Sequence, residues 1–220
     1  MRSLVILGTG GQSIDILDTV LELNRIEPVY EVLGFLDDDV SLHGSSVFNV
    51  PVLGSLQHAK EMNADVLFVN GIGSPATFFR KAEIISGLGL PRERFATIIH
   101  PTASVSRLSK IGSGTVVLQH ATVAAQADVG DHVMILPGVV ISHHDVIGDY
   151  CTIAGGVNIS GRVKISSSVY IGTNACIRED VTIGSGSLIG MGAVVRHDVS
   201  EGQIVAGNPA VILPSPRLPS

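Results

Sequence analysis

Ile99, Val105, Ile111, Val117, Val123, Val129, Ile135, Ile141, Ile147, Ile153, Ile159, Ile165, Ile171, Ile177, Ile183, Ile189 and Val195 stand six residues apart, and all seventeen positions are Ile or Val. Four residues after each, the side chain is nearly always small or β-branched (Ala103, Thr115, Ala121, Val133, Val139, Cys151, Val157, Val163, Ala175, Ser187, Ala193). Asp145 breaks that rule. A period of six fits neither a helix nor a simple alternating strand, but it fits a hexapeptide β-helix, in which three short strands make one triangular coil. The ladder predicts a solenoid of between five and six coils, each of about 18 residues.

The rest of the composition agrees with a narrow prism. Aromatic residues make up 4% of the chain and Trp is absent, although 45% of the residues are hydrophobic; an interior filled by Ile, Val, Ala and Ser has no room for large rings. At 220 residues there is space for one medium and one small domain. The net charge of −6 and the lack of a Lys/Arg run argue against nucleic acid or an anionic membrane as partner. Leu4 to Leu7 is too short an apolar run for a signal or spanning segment, so a cytoplasmic protein is expected. Cys151 and Cys176 lie inside the repeat without metal-type spacing, and Cys151 falls at a small inward position, as a buried thiol would.

Upstream of the ladder the pattern changes to α/β. Arg2 to Leu7 reads as a strand, Gly8-Thr9-Gly10-Gly11-Gln12-Ser13 as a glycine turn, and Ser13 to Leu23 as a helix. This is the first half of a nucleotide-binding βαβ unit, in which glycine lets the backbone approach a phosphate and the helix N-terminus offers N–H groups to it. A second strand, Tyr30 to Leu36, ends in Asp37-Asp38-Asp39, where a carboxylate could take ribose hydroxyls. A short helix around Leu56 to Met62 precedes a buried strand from Asp65 to Val69 and a second glycine turn, Asn70-Gly71-Ile72-Gly73-Ser74-Pro75. If the strands are parallel, these three turns converge at the carboxyl end of the sheet, where such sheets bind ligands. A helix from Ala76 to Leu88 and a strand near Phe95 to Ile98 close the unit. The expected organisation is a small Rossmann-like domain over residues 1–97, a parallel β-helix over 98–200, and a cap and tail over 201–220. The α/β domain is expected to cover one end of the solenoid and residues 201–213 the other, with a loose Pro/Ser tail from Pro214 to Ser220.

The chemistry is sought where the ladder fails, at Ile141-Ser142-His143-His144-Asp145-Val146. A carboxylate forced inward needs a partner or a distorted coil. Two histidines beside it make an acid–base candidate, with the carboxylate fixing the tautomer of the ring and supporting the imidazolium. His143 points outward; His144 shares a turn phase with His120 and His132, where solvated histidines are common. Zinc bound by histidines of two subunits is a rival reading, but His120, His132 and His144 lie twelve apart and fall on three different faces, so no metal is expected.

The chain resembles the family of sialic acid O-acetyltransferases and bacillosamine-pathway amino-sugar N-acetyltransferases, from the Gly8-Thr9-Gly10-Gly11 turn through Phe95 to Ala103 and on to Val205-Ala206-Gly207-Asn208-Pro209-Ala210. The resemblance implies a left-handed β-helix that trimerises, a nucleotide sugar held by Gly8, Gly10, Gly11, Asp37, Asp38 and Gly71, and acetyl-CoA between subunits along Gly155, Gly161, Thr173, Met191 and Gly207. It assigns the catalytic base to His143, four residues before Ile147-Gly148. The family usually follows that histidine with Asp or Glu, where this chain has His144 and then Asp145. Either Asp145 takes over as orienting group, or His144 is the active ring in a shifted register. The first turn carries Gln12 and Ile14 where the family commonly has His and Lys. The implied function is acetyl transfer from acetyl-CoA to an amine of a UDP-amino sugar; transfer to a hydroxyl and a non-catalytic sugar-nucleotide-binding trimer are the alternatives.

Overall fold

The computed structural model describes residues 1–214, so the tail beyond Pro214 lies outside the described residues. The N-terminal unit runs β1 (Arg2–Leu7), α1 (Gly11–Ile26), β2 (Tyr30–Leu36), β3 (Ser46–Val47), β4 (Val50–Gly54), β5 (Leu67–Asn70) and α2 (Lys81–Ser86). Its sheet has the order β3-β4-β2-β1-β5, parallel except for the β3/β4 pair. Central β1 has parallel neighbours on both sides, and Leu4, Val5, Ile6 and Leu7 are fully buried. Such burial on both faces is why its sequence reads as an unbroken apolar run. Ile16, Leu17 and Val20 of α1 pack on Leu4, Ile6 and Phe35. The helix expected from Ala76 to Leu88 is a 3-10 turn, Phe78–Arg80, followed by the single α-helical stretch α2. Phe95 makes only an isolated bridge to Phe68, while Ile98–Ile99 belongs to the solenoid and pairs with Val116–Val117.

From Ile98–Ile99 to Val194–Val195 the chain forms two-residue strands at every sixth residue, and each one up to Cys176–Ile177 is paired in parallel with the strand 18 residues on, as in Val140↔Asn158 and Ile141↔Ile159. They stack into three sheets around one core of inward Ile, Val, Ala and Cys151. Three edges join the sheets. From residue 114 to residue 192 every sixth residue has a left-handed φ between 55° and 69°, including His120, His132, His144 and Arg162. Left-handed backbone is unfavourable for side chains other than glycine. Bonds between coils hold these corners, as where the Arg162 N–H donates to the His143 carbonyl at 3.1 Å.

The α/β domain does not cover the open end of the solenoid. It packs on its flank, where Val116, Leu118 and Met134 share a core with Leu4, Ile6, Ile16 and Phe35. The physical reason is a sheet of the solenoid that is apolar on both sides in its first coils, and it leaves Ile99, Ala103, Val105 and Ile111 only half-buried. Residues 201–213 do extend the other end, through Ile204–Ala206 on Leu188–Ile189 and an antiparallel return at Val211–Leu213. Among the described residues no helix is long and apolar enough to cross a membrane.

Candidate functional site

Gly8, Gly10, Gly11, Asp37, Asp38 and Gly71 all line one cavity of about 500 Å³ at the carboxyl ends of β1, β2 and β5. Parallel pairing puts the three turns side by side, and close packing sharpens the corner. A methyl group at Gly71 would run into the Ser13 hydroxyl and lie 2.9 Å from the Ser13 Cα. The carboxylates are partly committed to the loops themselves. Asp37 accepts from the Thr9 N–H at 2.8 Å, the Thr9 hydroxyl at 2.7 Å and the Asp39 N–H at 2.9 Å. Asp38 accepts from the Leu56 N–H at 2.9 Å. Gln12 donates to the Gly73 carbonyl at 3.4 Å, and its own side-chain oxygen is buried without a partner. Thr9, Ile72, Gly73, Ser74 and Thr77 complete much of the wall.

The second place is the solenoid edge at His143 and His144. Both rings are exposed, their planes 87° apart, with Nδ1 of one 3.0 Å from Nδ1 of the other. At that distance one nitrogen carries the proton and the other accepts it. The ring of His143 lies on Gly161 of the next coil: a Cβ there would stand 2.6 Å from Cε1 and 2.8 Å from Nε2. A depression of about 380 Å³ beside His144 is lined by Arg162, Lys164, Asp180 and Thr182, with Arg162 and Asp180 joined by two bonds of 2.7 Å.

Asp145 corrects the expectation of an orienting carboxylate. It is fully buried, and its two oxygens accept from the Ser142 N–H at 2.8 Å and the Val163 N–H at 2.9 Å. No histidine ring bonds to it among the described residues, because its inward position turns it into the prism while both rings turn out. Burial pushes its carboxyl up to about 7, against the pull of the Val163, Ser142 and Arg162 N–H groups. His144 occupies the place beside His143 that a carboxylate was expected to fill.

Gly155, Thr173 and Met191 stack at 18-residue intervals on the edge between the sheet of Thr152–Ile153 and the sheet of Asn158–Ile159, and Gly207 accepts from the Val194 N–H near the top of that edge. Gly161 does not belong with them. It lies on the following edge, where the ring of His143 takes the space that a side chain would fill. The two edges of one chain therefore carry different parts of the expected groove.

Sequence reasoning missed a third cluster, between the domains. His132 is not solvated: its ring stacks on Tyr150 at 5.1 Å and meets Phe95 edge-on at 4.5 Å, with Nδ1 buried and unpaired. Burial pulls its pKa down to about 4. Lys81 is fully buried nearby, and burial lowers its pKa to about 8. Cys151 is buried, its thiol pushed up to about 12 by desolvation, and Cys176 is exposed. Among the described residues no three His, Cys, Asp or Glu side chains gather as a metal-ligand set.

A glycine-turn cavity on a Rossmann-like domain, joined to a hexapeptide β-helix that presents a histidine on its edge, defines the class of nucleotide-sugar acyltransferases. Residues 3–82 match the family described as PglD N-terminal domain, and residues 162–197 match the bacterial transferase hexapeptide (six repeats) family. The acetyltransferase domain of PglB from Neisseria gonorrhoeae FA1090, solved with acetyl coenzyme A, is 31% identical with a TM-score of 0.84, over 96% of this chain and 99% of that one. PerB from Caulobacter crescentus shares the fold at a TM-score of 0.84 and 23% identity, over 97% and 98% of the two chains. A UDP-N-acetylbacillosamine N-acetyltransferase of Bacillus subtilis (strain 168) is 29% identical over 119 residues, which is 54% of this chain and 52% of the relative, so the match spans about half of that curated relative. The chain belongs to the hexapeptide-repeat sugar acetyltransferase family, and its solenoid is the left-handed parallel β-helix of that family.

Proposed function

We propose that the protein moves the acetyl group of acetyl-CoA to an amine on a nucleotide-linked sugar, a UDP-amino sugar being the best-supported acceptor. The observation that carries this reading is the His143 ring, exposed and seated on Gly161, in a chain that also holds a cavity at the ends of its parallel strands. The acetyl-CoA bound by the PglB domain and the name of the Bacillus relative support the two substrates.

In this mechanism the acceptor nitrogen attacks the thioester carbonyl, the C–N bond forms and the C–S bond breaks. His143 takes the proton from the nitrogen through Nε2, and the imidazolium so formed passes that proton to the leaving thiolate, which departs as CoA thiol. The Nδ1–H of His143 donating to Nδ1 of a neutral His144 leaves the Nε2 lone pair without a proton and supports the imidazolium that forms. Cys151 is walled in, and among the described residues no hydrogen bond joins the exposed Cys176 thiol to a base, which favours direct attack over an acyl-enzyme. Gly8, Gly10, Gly11, Asp37, Asp38 and Gly71 would hold the nucleotide. Gly155, Thr173, Met191 and Gly207 would line the pantetheine groove, with a backbone N–H of a facing coil receiving the oxyanion. Because that edge and the His143 edge are separate on one chain, the complete site needs a second copy, and we read the assembly as a homotrimer working in the cytoplasm.

The test is thiol release from acetyl-CoA across a panel of UDP-amino sugars, with product analysis to separate amide from ester. Wild type should release CoA with one acceptor, and His143→Ala should be slower by at least 100-fold. Equal, slow release by both, with UDP still bound, would leave a non-catalytic sugar-nucleotide binder.

A further inference from the structure

We infer that Lys81 is the cation that balances the phosphates of a nucleotide in the cavity, acting across the thin wall made by Gly73. This rests on the reading of that cavity as the nucleotide site. Its walls carry two carboxylates, Asp37 and Asp38, and no Lys, Arg or His among the described residues that line it. A diphosphate entering such a place needs positive potential from behind the walls. The N-terminus of α1 supplies part of it, since no acidic residue stands in its first turn.

Lys81 supplies a whole charge. Its Nζ donates to the Thr152 hydroxyl at 2.9 Å, the Cys151 carbonyl at 3.1 Å and the His132 carbonyl at 3.4 Å, all neutral oxygens of the solenoid. Among the described residues no carboxylate pairs with it, so hydrogen bonds fix the ammonium and its charge stays uncompensated. A buried ammonium in that condition is costly, and a structure keeps one more readily where an anion arrives to pair with it. Gly73 stands between Lys81 and the cavity. A Cβ on Gly73 would lie 2.9 Å from Lys81 Cε and 3.3 Å from Nζ, so its backbone packs directly on the end of the lysine, while the same residue lines the cavity.

The groups facing the ammonium are consistent with this role. On the solenoid side His132 and Cys151 are both held neutral near pH 7 by burial, and Asp131 is occupied by Arg92 through bonds of 2.6 and 2.7 Å. Tyr150 stacks on His132 and Asp149 acts on it electrostatically, Arg80 and Glu83 flank Lys81 on its own segment and approach each other at 3.8 Å, and Asp37 and Asp38 line the cavity on the far side of Gly73. Burial lowers the lysine to about 8 against the opposing pull of Cys151, and an anion in the cavity raises it again. Binding of a nucleoside diphosphate near pH 8 therefore takes up a proton, at most about half a proton per site when pH equals the free-state pKa. Lys81 is a binding and positioning residue in this scheme and takes no part in proton transfer to substrate.

Calorimetric titration of UDP and of uridine into wild type, Lys81→Met and Lys81→Arg tests it. UDP should bind wild type and Lys81→Arg, and about tenfold more weakly to Lys81→Met, with uridine equal on all three. At pH 8, wild-type titrations in buffers of different ionisation enthalpy should show proton uptake with UDP and none with uridine, a readout that needs no variant to fold. Equal UDP affinity in wild type and Lys81→Met, matched losses of UDP and uridine, or no proton uptake would each overturn the role of Lys81 while leaving the cavity a nucleotide site. Failure of wild type to bind UDP, GDP or dTDP at all would overturn the nucleotide reading of the cavity and the role of Lys81 with it.

Discussion

Replacing Gly161 by Ala should cost turnover and little else. The added methyl would sit 2.6 Å from Cε1 and 2.8 Å from Nε2 of His143. Carbon atoms in comfortable contact are about 3.5 to 4.0 Å apart, so the ring has to retreat by roughly 1 Å. A misplacement of that size can lower a rate by about 100-fold, or about 2.7 kcal/mol in the barrier. The backbone does not oppose the change, since Gly161 is absent from the positive-φ positions and lies half-buried on an edge. Thermal midpoint should stay within about 2 °C of wild type. The assay is steady-state CoA release with a chromogenic thiol reagent, corrected for the one exposed cysteine, Cys176. KM for both substrates should hold while kcat falls. The double variant Gly161→Ala/His143→Ala supplies the sharper check: with no ring to displace, the methyl has nothing to act on, so the double should match His143→Ala alone. A Gly161→Ala enzyme within twofold of wild type, or a further loss on top of His143→Ala, would falsify the placement of His143 as base.

His144→Ala should lower kcat about tenfold with KM unchanged, and His144→Asn should recover most of it, because the amide oxygen can still accept from His143 Nδ1; equal loss in both would mean that the 3.0 Å contact does not orient the ring. For Asp145, burial holds the folded carboxyl near 7 against an ordinary 3.8, so the folded state binds the proton more tightly and stability from this group declines as pH rises from about 4 to 7. The difference amounts to up to about 4 kcal/mol, and denaturant midpoints at pH 4.5 and 7.5 should show Asp145→Asn losing that decline relative to wild type. His132 has the opposite sign: a folded pKa of about 4 against 6.5 means that its contribution is intact above 6.5 and is lost as pH falls toward 4, by up to about 3 kcal/mol. In His132→Phe that acid loss should vanish relative to wild type, with the stack on Tyr150 and Phe95 retained; an unchanged acid limb would show that the ring is not what unfolds there.

What could be read from the chain and what could not divides along the range of the interactions. The solenoid repeats one short-range rule, so the Ile/Val ladder marks every strand from Ile98–Ile99 to Val194–Val195, and one violation is enough to locate Asp145. The β1, β2 and β5 turns were legible for the same reason, since parallel pairing brings the ends of strands together once the strands are found. The β3/β4 hairpin was not: it turns through Phe48 and Asn49 at φ 49° and 63°, without the glycine that usually announces such a turn. Gly161 was legible as a glycine but not for its reason, because the residue that fills its space is 18 positions earlier on another coil. Phe95 and His132, or Lys81 and Thr152, are separated by 37 and 71 residues and meet only because an apolar flank of the solenoid receives the α/β domain. That flank packing leaves the His143 edge exposed beyond the domain seam while it buries Lys81 behind Gly73. One packing choice thus buries Lys81 at the seam with the α/β domain and leaves both histidine rings of the His143 edge open.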